Sequence, residues 1–285
     1  MKKRFLYFLA LLPVAGFLSF VTLKPERGDK SKSPVVTAPQ EDGFCGITNT
    51  SFKGSEQIQY ICFYNVAGVY VHAGDAVFTC NLEKYNNRPA YHIEGIGNSN
   101  SKYDWIFKVR DKYESWIDTA TMLPQKFVRN VYEGGYKKHE TVVFNHSAKT
   151  ATSLNKTYKV PECVQDVLSA TYYARNIDFD KLKIGERMNF AMTIDDQAYN
   201  MYIKYMGREK IKTKYGTFNS IKFKPLLIKG TIFTGGEKMT VWVSDDANHL
   251  PLRIQSPISV GSIKVDMMGY RNLRHPLSAM ISFKK

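Results

Sequence analysis

Lys210-Ile-Lys-Thr-Lys-Tyr215 decides the fold class, because every second residue changes character. Its lysines fall on one side of an extended chain and Ile211, Thr213 and Tyr215 on the other. That period of two is the mark of a strand with one packed and one wet face, as in an antiparallel sheet. Moving outward, Gln57–Tyr64 (QIQYICFY), Val69–Cys80, Ala90–Ile96, Trp105–Arg110, Lys126–Tyr132 and Glu140–Asn145 carry the same signature. They are rich in Tyr, Phe, Val, Ile and Thr and are separated by turn-rich pieces such as GNSNS and EGG. Beyond the opening stretch, Phe218–Phe223, Lys229–Phe233, Lys238–Val243, Pro251–Ser256 and Gly261–Met268 read likewise. Asn200–Met206 is expected to turn at Gly207 into the Lys210 strand. The reading is mostly β: a large curved antiparallel sheet or half-open β-barrel.

One segment breaks the pattern. Val164, Val167, Leu168 and Tyr172 recur at helical spacing, Pro161 suits a first helical turn, and Glu162 complements the helix dipole there. A bridging helix is expected over residues 161–175, between an N-terminal β-half at 44–160 and a C-terminal β-half at 176–285.

The N-terminus has a different logic. Lys2, Lys3 and Arg4 precede an uncharged run from Phe5 to Leu23 that Lys24 ends. A basic segment followed by an apolar one is the layout of a secretory signal. As a helix at ~1.5 Å per residue the run spans about 28 Å, close to a hydrocarbon core. Residues 1–23 are therefore read as a signal peptide or, if uncleaved, an N-terminal membrane anchor. Residues 24–43 hold few large apolar side chains and read as a flexible linker. The chain is expected to be exported, and to be periplasmic or anchored in the inner membrane facing the periplasm. Residues 1–32 carry seven basic and two acidic side chains, so +9 of the net +14 resides on the rest. A basic body favours anionic envelope ligands; nucleic acid fits the charge but not the compartment.

Four cysteines, Cys45, Cys62, Cys80 and Cys163, allow two disulfides in an oxidising compartment, with three connectivities open, or free buried thiols. In a hairpin turning at Ala67-Gly68, Cys62 falls near Ala73, so a Cys62–Cys80 bridge is disfavoured. No cysteine or histidine spacing matches a zinc site.

A weak internal repeat appears in Trp116–Lys126 (WIDTATMLPQK) and Trp242–Arg253 (WVSDDANHLPLR). Each copy has Trp, a β-branched residue, an acidic polar turn, Leu-Pro, and a basic residue two positions on. Pro124 and Pro251 would begin strands where no ladder N–H is needed. Trp116 and Trp242 could line a cavity or anchor the hairpins. Asp118, Asp245 and Asp246, together with Asp195 and Asp196, invite a carboxylate-dyad or metal reading. Adjacent residues on a strand point to opposite faces, which favours turn roles. The six histidines are scattered, and no nucleophile elbow, P-loop or dinucleotide fingerprint is present.

Five stretches carry a resemblance: Phe52–Gly74, Phe107–Tyr136, Tyr172–Phe179, Tyr205–Leu227 and Met239–Met267. Together they resemble the bacterial exported family catalogued as domain of unknown function 3108, with Ser55-Glu56 where Gly-Glu is expected. The resemblance implies an envelope protein of antiparallel β architecture and transfers no catalytic residue and no cofactor. The expected function is a non-enzymatic binding or assembly factor whose apolar, β-lined concavity takes a lipid or other hydrophobic ligand. A hydrolase of envelope glycan or lipid using the acidic turns, and a structural module of an envelope complex, are the alternatives.

Overall fold

The computed structural model describes residues 45–228, 235–258 and 261–284. The leader, the linker up to residue 43 and the expected strand Lys229–Phe233 lie outside the described residues. Among those described, fifteen strands form one antiparallel sheet. The first group is β1 (Glu56–Val66), β2 (Val69–Tyr85), β3 (Arg88–Ser99), β4 (Arg110–Asp118), β5 (Pro124–Glu133), β6 (Tyr136–Asn145), β7 (Thr150–Ser153) and β8 (Thr157–Lys159). After the helix α1 (Val167–Ala174) come β9 (Arg187–Ile194), β10 (Gln197–Lys212), β11 (Gly216–Pro225), β12 (Thr240–Ser244), β13 (Pro251–Pro257), β14 (Ser262–Arg271) and β15 (Met280–Phe283). Nearest neighbours in sequence pair within β1–β8 and within β9–β14, and β1 pairs with β14, so the path runs from β8 through β1 and β14 to β9. β15 adds to β11.

Among the described residues, no ladder joins the two ends of that path. They nevertheless meet. Gln165 donates its N–H to Ala191 and accepts from Thr193, a single parallel bridge to β9. The Tyr158 hydroxyl on β8 lies 2.7 Å from that of Thr193. The β9–β10 hairpin tip sends Asp195 to the buried Arg129 on β5, which also holds Glu140 at 2.6 Å. The sheet is thus a half-open barrel whose seam is covered by the chain just before α1.

Inside it sits α1. Seven of its eight residues are buried, which fits a helix apolar nearly all round. Its N-terminus is fixed by Asp166, which accepts from Leu168 N at 2.8 Å and Ser169 N at 2.9 Å, while Ser169 Oγ accepts from Asp166 N. The helix is therefore shorter than the expected 161–175. Residues 161–166 serve instead as the strap over the seam, where Cys163 takes a positive φ and Gln165 pairs with β9. Cys163 is bonded to Cys45.

Three strand expectations are corrected. β10 ends at Lys212, so Thr213–Tyr215 form the turn into β11, closed by Thr213 N donating to the Gly216 carbonyl. Gly207 does not turn the chain: β10 runs unbroken across it, and its φ of +91° serves a bulge between Tyr205 and Arg208. Trp105–Arg110 is not a strand, because a short 3-10 turn at Ser101–Tyr103 delays β4 until Arg110. Cys62 stands opposite Gly74, and Cys80 opposite Glu56, so those two thiols stay apart and free. Among the described residues, no helix is long and apolar enough to cross a membrane.

Candidate functional site

The two Trp hairpins share one register. Trp116 faces His92 and Lys126 across the ladder, and Trp242 faces Lys222 and Arg253. A register shift follows each tryptophan, after which Ile117 pairs with Pro124 and Val243 with Pro251. Met122 and His249 precede the Leu-Pro pairs, and both have positive φ, at 59° and 40°. Each indole N–H donates to a glutamate two strands away: Trp116 to Glu83 at 2.5 Å and Trp242 to Glu209 at 2.6 Å. A lysine lies over each indole, Lys126 at 4.8 Å and Lys222 at 5.6 Å. Both tryptophans are on the outer, half-exposed face, away from the barrel interior.

The acidic residues are engaged locally. Asp118 accepts from Ala120 N and Thr121 N at 2.9 and 3.0 Å. Asp246 accepts from Ser244 Oγ, Asn248 N and Ala279 N. Asp245 pairs with Arg208 at 3.0 Å. Asp195 and Asp196 form a tight hairpin turn with φ of 51° and 60°. His249 bonds the Arg175 carbonyl, and burial lowers its pKa. Among the described residues, no group of three or more His, Cys, Asp or Glu side chains could hold a metal.

What the structure brings together is an apolar cavity of about 120 Å³ between α1 and the strands on either side of the β1–β14 junction. Ile58, Tyr60 and Phe78 come from β1 and β2, and Ile203, Phe223, Val241 and Val243 from β10–β12. Pro251 lines it too, so this proline and its ladder partner Val243 face the interior, while Trp242, between Val241 and Val243 on β12, faces out. Met192, Met201 and Met239 give the wall adaptable side chains. Half-buried Thr171, Phe190, Pro225 and Leu226 form its accessible side.

One buried corner of the lining is polar. Arg175, the residue after α1, grips Glu56 through two bonds of 2.6 and 2.9 Å, and both side chains are at most 2% exposed. The guanidinium also reaches the carbonyls of Asn248 and Ser51. Burial, reinforced by Glu56, pushes Tyr172 well above the usual phenol range, and its hydroxyl has no hydrogen-bond partner among the described residues. Burial likewise raises Cys80 beside them. In the N-terminal half Tyr113, Ile117, Met122 and Phe127 are fully buried. The cavity residues are spread from Ile58 to Ile254 with no shared motif, and only Val243 and Pro251 among them belong to the repeated Trp…Leu-Pro pattern.

The fold has solved counterparts. A β-barrel-like protein of domain of unknown function DUF1849 from Brucella abortus superposes with a TM-score of 0.51 at 8% identity, over 79% of this chain and 100% of that one. Two more distant structures cover the same shares of each chain. One, with a YmcC-like fold, is a candidate exported protein from Bacteroides fragilis (TM-score 0.35, 9% identity). The other is a candidate lipoprotein from Parabacteroides distasonis (TM-score 0.36, 12% identity). No curated protein matches the chain. Over residues 59–268 the sequence matches the family described as protein of unknown function (DUF3108), and the chain belongs to that family.

Proposed function

We propose that the protein is an exported, envelope-facing binding protein that takes the apolar end of a lipid or similar hydrophobic ligand between α1 and the sheet. The observation that carries the reading is the cavity itself: apolar on nearly every side, reachable past Phe190 and Leu226, and floored by one unpartnered phenol. Protein interiors are close-packed, so a void of about 120 Å³ is a costly feature unless something fills it. Its size is near that of engineered apolar cavities that admit a benzene ring, and below that of a pocket enclosing a whole ligand. Part of an acyl chain fits, with the polar remainder outside. Each methylene transferred contributes about 0.8 kcal/mol, so five give about 4 kcal/mol before association costs. The Tyr172 hydroxyl supplies a donor to an ester or carboxyl oxygen, and such a bond would relieve its buried, unsatisfied state.

Binding rather than catalysis is favoured because the acidic residues at Asp118, Asp245 and Asp246 are spent on turns and an ion pair. Export rests on the basic-then-apolar layout of residues 2–23. The test is displacement of a fluorescent fatty acid, with native mass spectrometry of gently purified protein. Ala170→Leu, on the helix wall of the cavity, should weaken displacement at least about tenfold without lowering the Tm, since it fills a void. Absence of displacement at micromolar lipid, or displacement untouched by the substitution, would sink the proposal.

A further inference from the structure

The strand ends opposite the Trp hairpins form a rim with two kinds of side chain. The β1–β2 turn exposes Val69 (61%) and Tyr70 (47%). Tyr70 stands opposite Asn65, Asn65 opposite Ser262, and Ser262 opposite Pro257, so this turn lies beside the β13–β14 turn. One row further in, Arg187, Lys204 and Lys224 are cross-strand neighbours on β9, β10 and β11. Thr240, Gln255 and Lys264 continue on β12, β13 and β14, because the Phe223–Val241 pair sets Lys224 beside Thr240. Ile203, Phe223, Val241 and Ile254 line the cavity, so these alternate positions face outward.

Here Lys222, Lys224, Lys238, Thr240, Trp242 and Gln255 border a shallow groove of about 400 Å³. Glu237 occupies Arg187 and Lys204, and Glu209 occupies Lys222. Lys224 and Lys238 form no ion pair among the described residues. Lys264 Nζ lies 3.9 Å from the centre of the Tyr70 ring, which ties the apolar turn to the basic groove. Pro225, Leu226 and Met239 of the cavity wall lie at this same rim, in and beside the β11–β12 connection.

We propose that this rim docks on a bilayer surface carrying anionic phospholipid. Lys224, Lys238 and Lys264 meet headgroup phosphates while Val69 and Tyr70 enter the headgroup–acyl boundary. Charge complementarity commits the occupant, since clustered lysines near an anionic surface add attraction per residue, and an exposed aromatic beside them is the usual interfacial anchor. Docking in this pose sets the cavity's accessible wall toward the lipid. The proposal holds whether or not the cavity is filled, because it concerns the outer face.

The experiment is lysine acetylation footprinting of the full-length chain, read by mass spectrometry, so a contribution from residues 1–43 does not obscure the site. The chain is reconstituted in bilayers of phosphatidylcholine alone or mixed with phosphatidylglycerol. Lys224 and Lys238 should be labelled at least about tenfold more slowly in the mixed bilayer. The exposed Lys210 and Lys212, toward the far end of β10, should be labelled equally in both. Lys224→Glu with Lys238→Glu should release Lys222 and Lys264 from protection at unchanged Tm. Equal labelling in the two bilayers overturns the proposal, as does equal protection of Lys210. Protection by inorganic phosphate without lipid also overturns it, assigning the groove to a free anion.

Discussion

Asp111 should give this protein a stability that falls as pH rises. It lies on β4 at 3% exposure beside Glu133 of β5, which is 8% exposed. Burial first, and Glu133 second, push its carboxyl up to about 8, against the Tyr132 N–H that donates to it at 3.0 Å. Unfolded, the same group loses its proton near about 3.9. Between those values the folded state binds more protons than the unfolded one, so stability is highest below about pH 4. It declines through pH 8 and levels off above. At about 1.4 kcal/mol for each tenfold, the ceiling is on the order of 5 kcal/mol, a contribution that Asp111 shares with Glu133. Asp111→Asn keeps the acceptor for Tyr132 and donates toward Glu133 as the protonated acid does. Urea unfolding at pH 5, 6, 7 and 8 should show a falling midpoint for the wild type and a flatter one for the variant, which becomes the more stable protein at pH 8. Parallel profiles, or a variant weaker at pH 8, would refute the buried-acid argument.

Two further outcomes follow from the interior. Arg175→Met strands Glu56 without its cation and should cost about 3–5 kcal/mol in urea unfolding, whereas Glu56→Leu combined with Arg175→Met should recover most of that loss. If the double variant is as weak as the single, the buried-charge account fails. The Cys45–Cys163 bond spans 118 residues of sequence, so Cys45→Ser with Cys163→Ser should lower stability by about 4–5 kcal/mol. In the folded protein Cys62, pushed up to about 12 by burial, and Cys80 should resist alkylation until unfolding, as peptide mapping would read.

Much of the sheet is legible because period-two alternation records one-sided burial, and Lys210–Lys214 alternates between exposed and buried even though β10 itself ends at Lys212. The Trp hairpins are legible for a related reason: a tight turn constrains composition, so Leu-Pro after a positive-φ residue recurs at Met122 and His249. Gly207 was misread because a bulge and a turn ask the same thing of glycine, a positive φ, and only the partner strand distinguishes them. Pro161 was misread because proline suits a strap as well as a first helical turn, while the cap that starts α1 is Asp166 with Ser169. The seam pair Arg129–Asp195 and the cavity wall escape any reading by spacing. Their members are set side by side by the path of the sheet and not by a local pattern.

The disulfide gives the molecule a load path. Cys45 is the first described residue, and its partner Cys163 lies two positions before Gln165, the residue that bridges to β9. The next stretch of chain converges on the same place: Ile47 N bonds the Tyr173 hydroxyl, Thr50 N bonds Asn176, and Ser51 Oγ bonds the Arg175 carbonyl. Tension applied through the residues before Cys45 therefore reaches the strap and the end of α1 before it reaches β1. A pull from the N-terminus acts on the closure of the barrel ahead of its sheet.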